Sequence, residues 1–407
     1  MDLSSSLLVG ASNFANLLSM IPSLLELHLS DYNLKETHLS YILHNLTTLS
    51  NLQHLDLSSN TLTGSIPESL TKLSMLQVWD LSFNELRGPI PIFLGKLTEL
   101  YLSGNDLNGS IPASIGQFSK LRSLDVSYNS LEGEIFESHF SNLSMMLKEF
   151  NVASNSKLTL IFSREWMPPF QLIRIDLGSC KIENEFPQWL RNQRKLQRLV
   201  LSNTTISGPL PTWLRKMPNI PFMDLSHNNL SGPLTNLPNG VTNVDDEDFI
   251  QQHLFLQNNT FNDSIPRSLY KRRDLANLDL SKNRLIGIIP KCFKNLQKLQ
   301  FLRLSSNGLS GIIPSFIGNI SELSSLNLND NNLSGELSAT FWNLSWLRVL
   351  DLGDNALCGK LLEWIGEKIK QLLVFRIHKN NFARGIPRSL CITINLQILD
   401  VAHNNLA

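Results

Sequence analysis

Several things are scarce in this 407-residue chain, and each scarcity removes a class of function. Only four cysteines occur, Cys180, Cys292, Cys358 and Cys391. They are too few and too scattered for a disulfide framework or a zinc site, and their spacing assigns no pairs. Neither sign of charge is in surplus, since 35 basic residues stand against 35 acidic ones. Nothing therefore argues for nucleic acid or an anionic membrane as partner. No run of about 18 apolar residues occurs, so no membrane-spanning helix is expected. The opening MDLSSSLLVGASNF has no basic stretch and does not read as a signal peptide. The nine histidines show no metal-ligand spacing. No G-x-S-x-G, Gly-rich phosphate loop or paired-carboxylate arrangement is present either. No enzyme, metal or cofactor is expected. The acidic run Asp245, Asp246, Glu247, Asp248 lacks the spaced oxygens and turn glycine of a calcium loop and reads as a solvated insertion.

What the chain does have is repetition. The stretch from Leu275 to Pro290, LANLDLSKNRLIGIIP, carries leucines at 275, 278, 280 and 285, with Asn283 between the last two and Gly287, Ile289 and Pro290 closing the unit. Leu278 and Leu280 alternate with Asp279 and Ser281, which predicts a short strand with one buried and one wet face. Asn283 turns the chain, and its amide is expected to bond backbone groups left unpaired there. So small a unit cannot bury its apolar face without copies on both sides. Sixteen copies are found, marked at the Asn283 position by Tyr32, Asn60, Asn84, Asn105, Asn129, Asn155, Cys180, Thr204, Asn228, Asn259, Asn283, Asn307, Asn331, Asn355, Asn380 and Asn404. Tyr32, Cys180 and Thr204 are expected to fill the position without the full set of amide bonds, with Cys180 acting as a small buried hydrophobe.

Most steps are 24 residues, as from Asn283 to Asn307. Asn84 to Asn105 is 21 and Asn228 to Asn259 is 31. The expected organisation is a partial repeat at 1–23, repeats at 24–240, an insertion loop at 241–253, and repeats at 254–407 truncated at the C-terminus. Prolines such as Pro67, Pro112 and Pro314 should hold the chain extended before a short helical turn. Glycines such as Gly64 and Gly311 should allow close backbone approach between coils.

The consensus L-x-x-L-x-L-x-x-N-x-L-x-G-x-I-P resembles the extracellular leucine-rich repeats of plants. SLLELHLSDYNL (23–34), LDLGDNALCGKLLEWIGEKI (350–369) and IPRSLCITINLQILDVAHNNL (386–406) are similar to receptor-like proteins of the fungal-xylanase-receptor type. The resemblance covers essentially the whole chain. It implies an α/β solenoid, a plant-type leucine-rich-repeat right-handed superhelix with a concave parallel β-sheet, about 16 repeats and the caps missing. It also implies part of a longer receptor at the extracellular face of the plasma membrane, in pathogen sensing or defence signalling. The partners would be an extracellular protein, peptide or glycan and a co-receptor kinase, whose binding region is expected to be absent from this chain. The alternatives are a secreted inhibitor of a cell-wall-degrading enzyme such as polygalacturonase, or a truncated non-functional receptor copy.

Most concave positions carry Asp or Ser and read as solvated scaffold. The departures are the candidate ligand contacts: Phe83, Tyr101, Tyr128, Phe222, Phe255, Phe301, Arg303, Arg376, His378 and Lys379. Aromatics and Arg are over-represented where binding energy concentrates. Ten N-x-S/T sequons are candidate glycosylation sites: Asn45, Asn108, Asn142, Asn203, Asn229, Asn258, Asn262, Asn319, Asn332 and Asn343.

Overall fold

A repeat whose two strand leucines stand five and three positions before its Asn can place only about three residues in a strand before the chain must turn, and the fold is built on that limit. The computed structural model describes residues 20–32, 34, 49–68, 73–92, 96–141, 143, 145–183, 185–239, 251–361 and 364–406. Outside them lie residues 1–19 of the expected partial repeat, 240–250 of the expected insertion with its acidic run, and the sequons Asn45 and Asn142. The chain forms two compact units, Met1–Leu196 with Asn203–Thr205, and Gln197–Ser202 with Ile206–Ala407.

Among the described residues of the N-terminal unit, seven strands lie parallel in chain order: Glu26–His28, His54–Asp56, Val78–Asp80, Glu99–Tyr101, Ser123–Asp125, Glu149–Asn151 and Arg174–Asp176. Their middle residues, Leu27, Leu55, Trp79, Leu100, Leu124, Phe150 and Ile175, are all buried. Each contributes about 1.5–3 kcal/mol by leaving water. The 21-residue step leaves the register intact. Glu99–Tyr101 pairs residue for residue with both Val78–Asp80 and Ser123–Asp125, so the shortening falls in the linker.

The C-terminal unit has nine such strands: Arg198–Val200, Phe222–Asp224, Gln252–Phe255, Leu275–Asp279, Phe301–Arg303, Ser325–Asn327, Val349–Asp351, Val374–Arg376 and Ile398–Asp400. The 31-residue step likewise keeps Phe222, Met223 and Asp224 opposite His253, Leu254 and Phe255. Each unit also has a second parallel sheet, formed just after the register Asn: six strands from Thr63–Ser65 to Lys181–Ile182 in the first, nine from Ser207–Pro209 to Asn405–Leu406 in the second. Sequence spacing did not announce these strands. They depend on the expected glycine approach: at Gly335 (φ +83°) a Cβ would meet Ile312 at 2.9 Å. After the prolines come short 3-10 turns, as expected, for example Ser315–Asn319 following Pro314 at φ −67°, ψ 138°.

The corner between the two sheets is held by the Asn amide. Asn307 Nδ2 donates to Leu304 O, Ser305 O and, in the preceding coil, Leu280 O, at 3.0–3.1 Å. Its Oδ1 accepts from Leu285 N of that coil at 3.0 Å. One side chain thus satisfies four backbone groups in two coils. The residue just before the mark has positive φ in all sixteen coils, from 47° at Asp354 to 65° at Gly104. Only one of the sixteen is glycine. An L-residue in that conformation costs about 1–2 kcal/mol, which the amide bonds offset at about 1 kcal/mol net each. Where the mark is not Asn, the bonds are partly replaced. Cys180 Sγ reaches Val152 O at 3.1 Å, and Leu158 N, with no amide oxygen to find, bonds Asn155 O at 2.9 Å.

A second local bond explains a departure from the expected wet face. Asp279 and Ser281 are only 6% and 8% exposed. Asp279 Oδ1 folds back over the strand end and accepts from Ser281 N at 3.0 Å and Ser281 Oγ at 2.6 Å. Asp56 with Ser58, Asp80 with Ser82 and Asp125 with Ser127 repeat the arrangement. These side chains close the turn rather than float in solvent.

Asn307→Ala should lower the unfolding free energy by about 3 kcal/mol, because it strands a buried N–H and several carbonyls. A denaturant titration reads this as a lower midpoint at unchanged slope. Asn295→Ala, exposed on a convex turn, should shift it by no more than about 0.5 kcal/mol.

Candidate ligand-binding site

Because the Asp and Ser positions are occupied in closing turns, residues of other types at those places are free to face a partner. The ten candidates separate into three groups, one in the N-terminal unit and two in the C-terminal unit.

In the N-terminal unit, Tyr101 lies between Asp80 and Asp125 in the strand register. Its hydroxyl donates to Glu99 Oε2 at 3.0 Å. Burial, with the charges of Glu99 and Glu149, pushes that hydroxyl up to about 12. Burial also raises Asp80, as do its neighbours in the same column, Asp56 and Asp125. Phe83 and Tyr128 stand at positive-φ corners rather than on strands, 61% and 64% exposed. Gly104 occupies the equivalent corner between them. The Phe83 ring lies across it, so that a Cβ on residue 104 would sit 2.8 Å from the ring.

The central group of the C-terminal unit is the densest. Phe222, Phe255, Phe301 and Arg303 come from the strands Phe222–Asp224, Gln252–Phe255 and Phe301–Arg303, with Leu275–Asp279 lying between the last two, and two residues not singled out from the sequence, Arg198 and His253, join them. The Arg198 guanidinium sits 4.0 Å from the Phe222 ring centroid. Phe222 packs on His253 at 5.5 Å and on Phe255 at 5.7 Å, and the His253 and Phe255 rings lie nearly parallel at 6.2 Å. The Asn277 side-chain amide and His253 Nδ1 share a hydrogen bond of 2.8 Å. Burial, assisted by the Arg198 charge, lowers the His253 pKa, so the ring is neutral at pH 7. Arg303 lies 5.7 Å from the Phe301 ring centroid and 3.6 Å from Asp279 Oδ2. The result is a half-buried aromatic surface with a cation at each end. It can stack flat apolar or sugar faces and hold an anionic group. Arg198 and His253 had a findable signal: each is one repeat away from Phe222 in the same column.

The last group, Arg376, His378 and Lys379, is committed to neighbouring carboxylates. Arg376 approaches Asp351 at 3.7 Å, Lys379 approaches Asp354 at 2.8 Å, and His378 lies between Asp354 at 2.8 Å and Asp400 at 3.1 Å. Lys379 and His378 hold the Asp354 carboxyl below its usual range. Lys379 is again a corner residue, at φ 50°. Arg376 repeats the geometry of Arg303 beside Asp279, so His378 and Lys379 are the more fully committed pair.

All eight described sequon asparagines are exposed. Asn108, Asn229, Asn262 and Asn332 are on strands of the second sheets, and Asn319 and Asn343 end convex turns. Asn203 and Asn258 are corner residues at φ 55°, bonded to Ser179 Oγ at 3.2 Å and His227 Nδ1 at 3.0 Å. All four cysteines are unpaired, and burial pushes the Cys180 thiol up to about 12. Among the described residues no cluster of three or more His, Cys, Asp or Glu could hold a metal, and no helix is long and apolar enough to cross a membrane.

The lowered pKa of His253 has a pH consequence. The folded state binds fewer protons at this ring than the unfolded chain, so its contribution is complete above about pH 6.5, the unfolded value, and is lost as pH falls from there through the lower folded value. NMR titration should place His253 below the ordinary histidine value. Phe222→Ala should move it back upward by exposing the ring.

Sequence profiles described as leucine rich repeat match residues 170–230 and 252–309, and others match 51–73, 96–118, 120–143 and 322–344, together about half of the chain. Receptor-like protein EIX1 of Solanum lycopersicum is 49% identical over 59 residues, 14% of this chain and only 6% of the length of that relative. Among solved structures, the Arabidopsis receptor kinase HAESA ectodomain in complex with an N-terminally extended IDA peptide hormone is 28% identical. That match covers 89% of this chain and 72% of that one, with a TM-score of 0.55. The PEPR1–AtPEP1 structure is 26% identical and covers 89% and 60%, with a TM-score of 0.62. With its parallel strands, one per repeat, and its Asn-held corners, the chain belongs to the leucine-rich-repeat family and is a solenoid of the plant receptor-ectodomain kind.

Proposed function

We propose that the chain is the ligand-recognition portion of a plant receptor-like protein. Its contact surface is the cluster of Arg198, Phe222, His253, Phe255, Phe301 and Arg303. The observation that carries this reading is a column of Arg198, Phe222, His253, Asn277 and Phe301 beside an Asp column in which Phe255 and Arg303 replace the turn-closing carboxylate. A leucine-rich-repeat frame needs none of these residues for its own turns, and aromatics with Arg are the side chains in which binding energy concentrates. HAESA, a structural relative, holds a peptide hormone. The ligand class for this chain is a protein, peptide or glycan outside the cell, and its role is pathogen sensing in defence. Phe83, Tyr101 and Tyr128 form a secondary contact, and Arg376, His378 and Lys379 a charged margin.

In this reading the chain acts by binding and performs no catalysis. It works as part of a longer receptor at the outer face of the plasma membrane, glycosylated at its exposed sequons, and signals through a co-receptor kinase.

The test is a binding panel on the immobilised chain: a fungal xylanase, IDA peptide, and neutral cell-wall oligosaccharides. At least one should bind saturably. Phe255→Ala combined with Arg303→Ala should weaken that binding at least about tenfold, roughly 1.4 kcal/mol. Ile312→Ser, on the second sheet, should leave it unchanged. Binding that survives the double variant and is lost with Ile312→Ser would place recognition elsewhere.

A further inference from the structure

In the C-terminal unit the convex turns of four coils frame a groove of ≈ 1000 Å³. Its floor is apolar, made of Ile265, Pro266, Ile288 and Pro290, with Tyr270 partly open beside them. Ile288 is 58% exposed, and the equivalent Ile312 of the next coil is 65% exposed. Arg215, Arg267, Lys291 and Lys294 line the same groove, and all four are exposed. Pro266 and Pro290 start equivalent turns, so Arg267 and Lys291 hold the same place on successive coils.

Two features separate this groove from ordinary surface. No carboxylate lines it, and none of its four cations makes an ion pair among the described residues. Elsewhere some exposed cations find partners across coils, as in Arg87–Asp106, Lys157–Glu132, Arg164–Glu185 and Lys298–Glu322. Four unpaired charges of one sign repel one another and attract an anionic partner. The exposed apolar floor calls for side chains that exclude water from it.

We propose that this groove docks an acidic peptide segment of a partner protein, one whose carboxylates meet the cationic rim while apolar side chains cover Ile288 and Tyr270. A polyanionic glycan would satisfy the rim but has no apolar side chains for the floor, so the peptide is the better fit. The site lies on the convex turns and does not depend on how the main-sheet cluster is read.

The test titrates the full chain with a fluorescein-labelled peptide, Glu-Leu-Glu-Phe-Glu-Asp, followed by anisotropy. Binding should be saturable and salt-sensitive. Arg267→Glu with Lys291→Glu should weaken it at least about tenfold, and the milder Arg215→Gln with Lys294→Gln should weaken it in the same direction. All four positions are exposed, so the melting temperature should hold. Phe255→Ala should have no effect. Replacing the peptide's acids by Gln and Asn should abolish binding, and replacing its Leu and Phe by Ser should weaken it. Equal affinity for the serine peptide or for oligogalacturonate would overturn the peptide assignment in favour of an anionic glycan. Binding indifferent to both charge variants would overturn the site.

Discussion

One side-chain amide sets the terms for everything else in this chain. At each corner the backbone must leave a three-residue strand and begin a second one, and the residue before the mark enters the left-handed region, as Lys282 does at φ 52°. Such a corner leaves carbonyls of two coils without partners. The Asn side chain reaches them from the next residue and accepts an N–H from the preceding coil in return, as Asn283 does with Leu256, Leu280, Ser281 and Phe261. Every Asn therefore ties its own turn to its neighbour's. The leucines supply burial, but burial alone does not specify where the strand stops. The amide does.

That division of labour explains how the open face comes to vary. Inside, Leu278 and Leu302 are interchangeable members of a column, paired in register and shielded from water. On the open face, Asp279 and Ser281 close the turn with their own hydrogen bonds. A column that substitutes Phe255 or Arg303 for such an Asp keeps its fold because the amide corner persists: Asn259 and Asn307 retain their full sets of bonds. The frame tolerates variation on this face, so aromatic and cationic residues can collect there without loss of the turns that hold it.

The solenoid was legible from sequence because leucine and asparagine recur at positions where no other residue does the same job. The 21- and 31-residue steps were legible too, as length changes in linkers that leave the strand register alone. The left-handed corner was not. It is held by Asp31, Phe83, Tyr128, Asn203, His227 and Lys379 among others, residues with no common chemistry and therefore no compositional mark. For the same reason Phe83, Tyr128 and Lys379 looked like strand residues. Arg198 and His253 were missed because each is unremarkable beside its chain neighbours and gains meaning only from Phe222, one coil away.

Backbone hydrogen exchange at Leu285 tests the amide's role most directly. Its N–H has the Asn307 side-chain oxygen as partner, at 3.0 Å. If the amide holds the corner, Leu285 exchanges as slowly as the buried strand centre Leu302 in the native chain and at least about a hundredfold faster in Asn307→Ala, while Leu302 is little changed. Exchange at Leu285 that is already fast in the native chain, or that ignores the loss of Asn307, would contradict the claim that the asparagine ladder sets the frame.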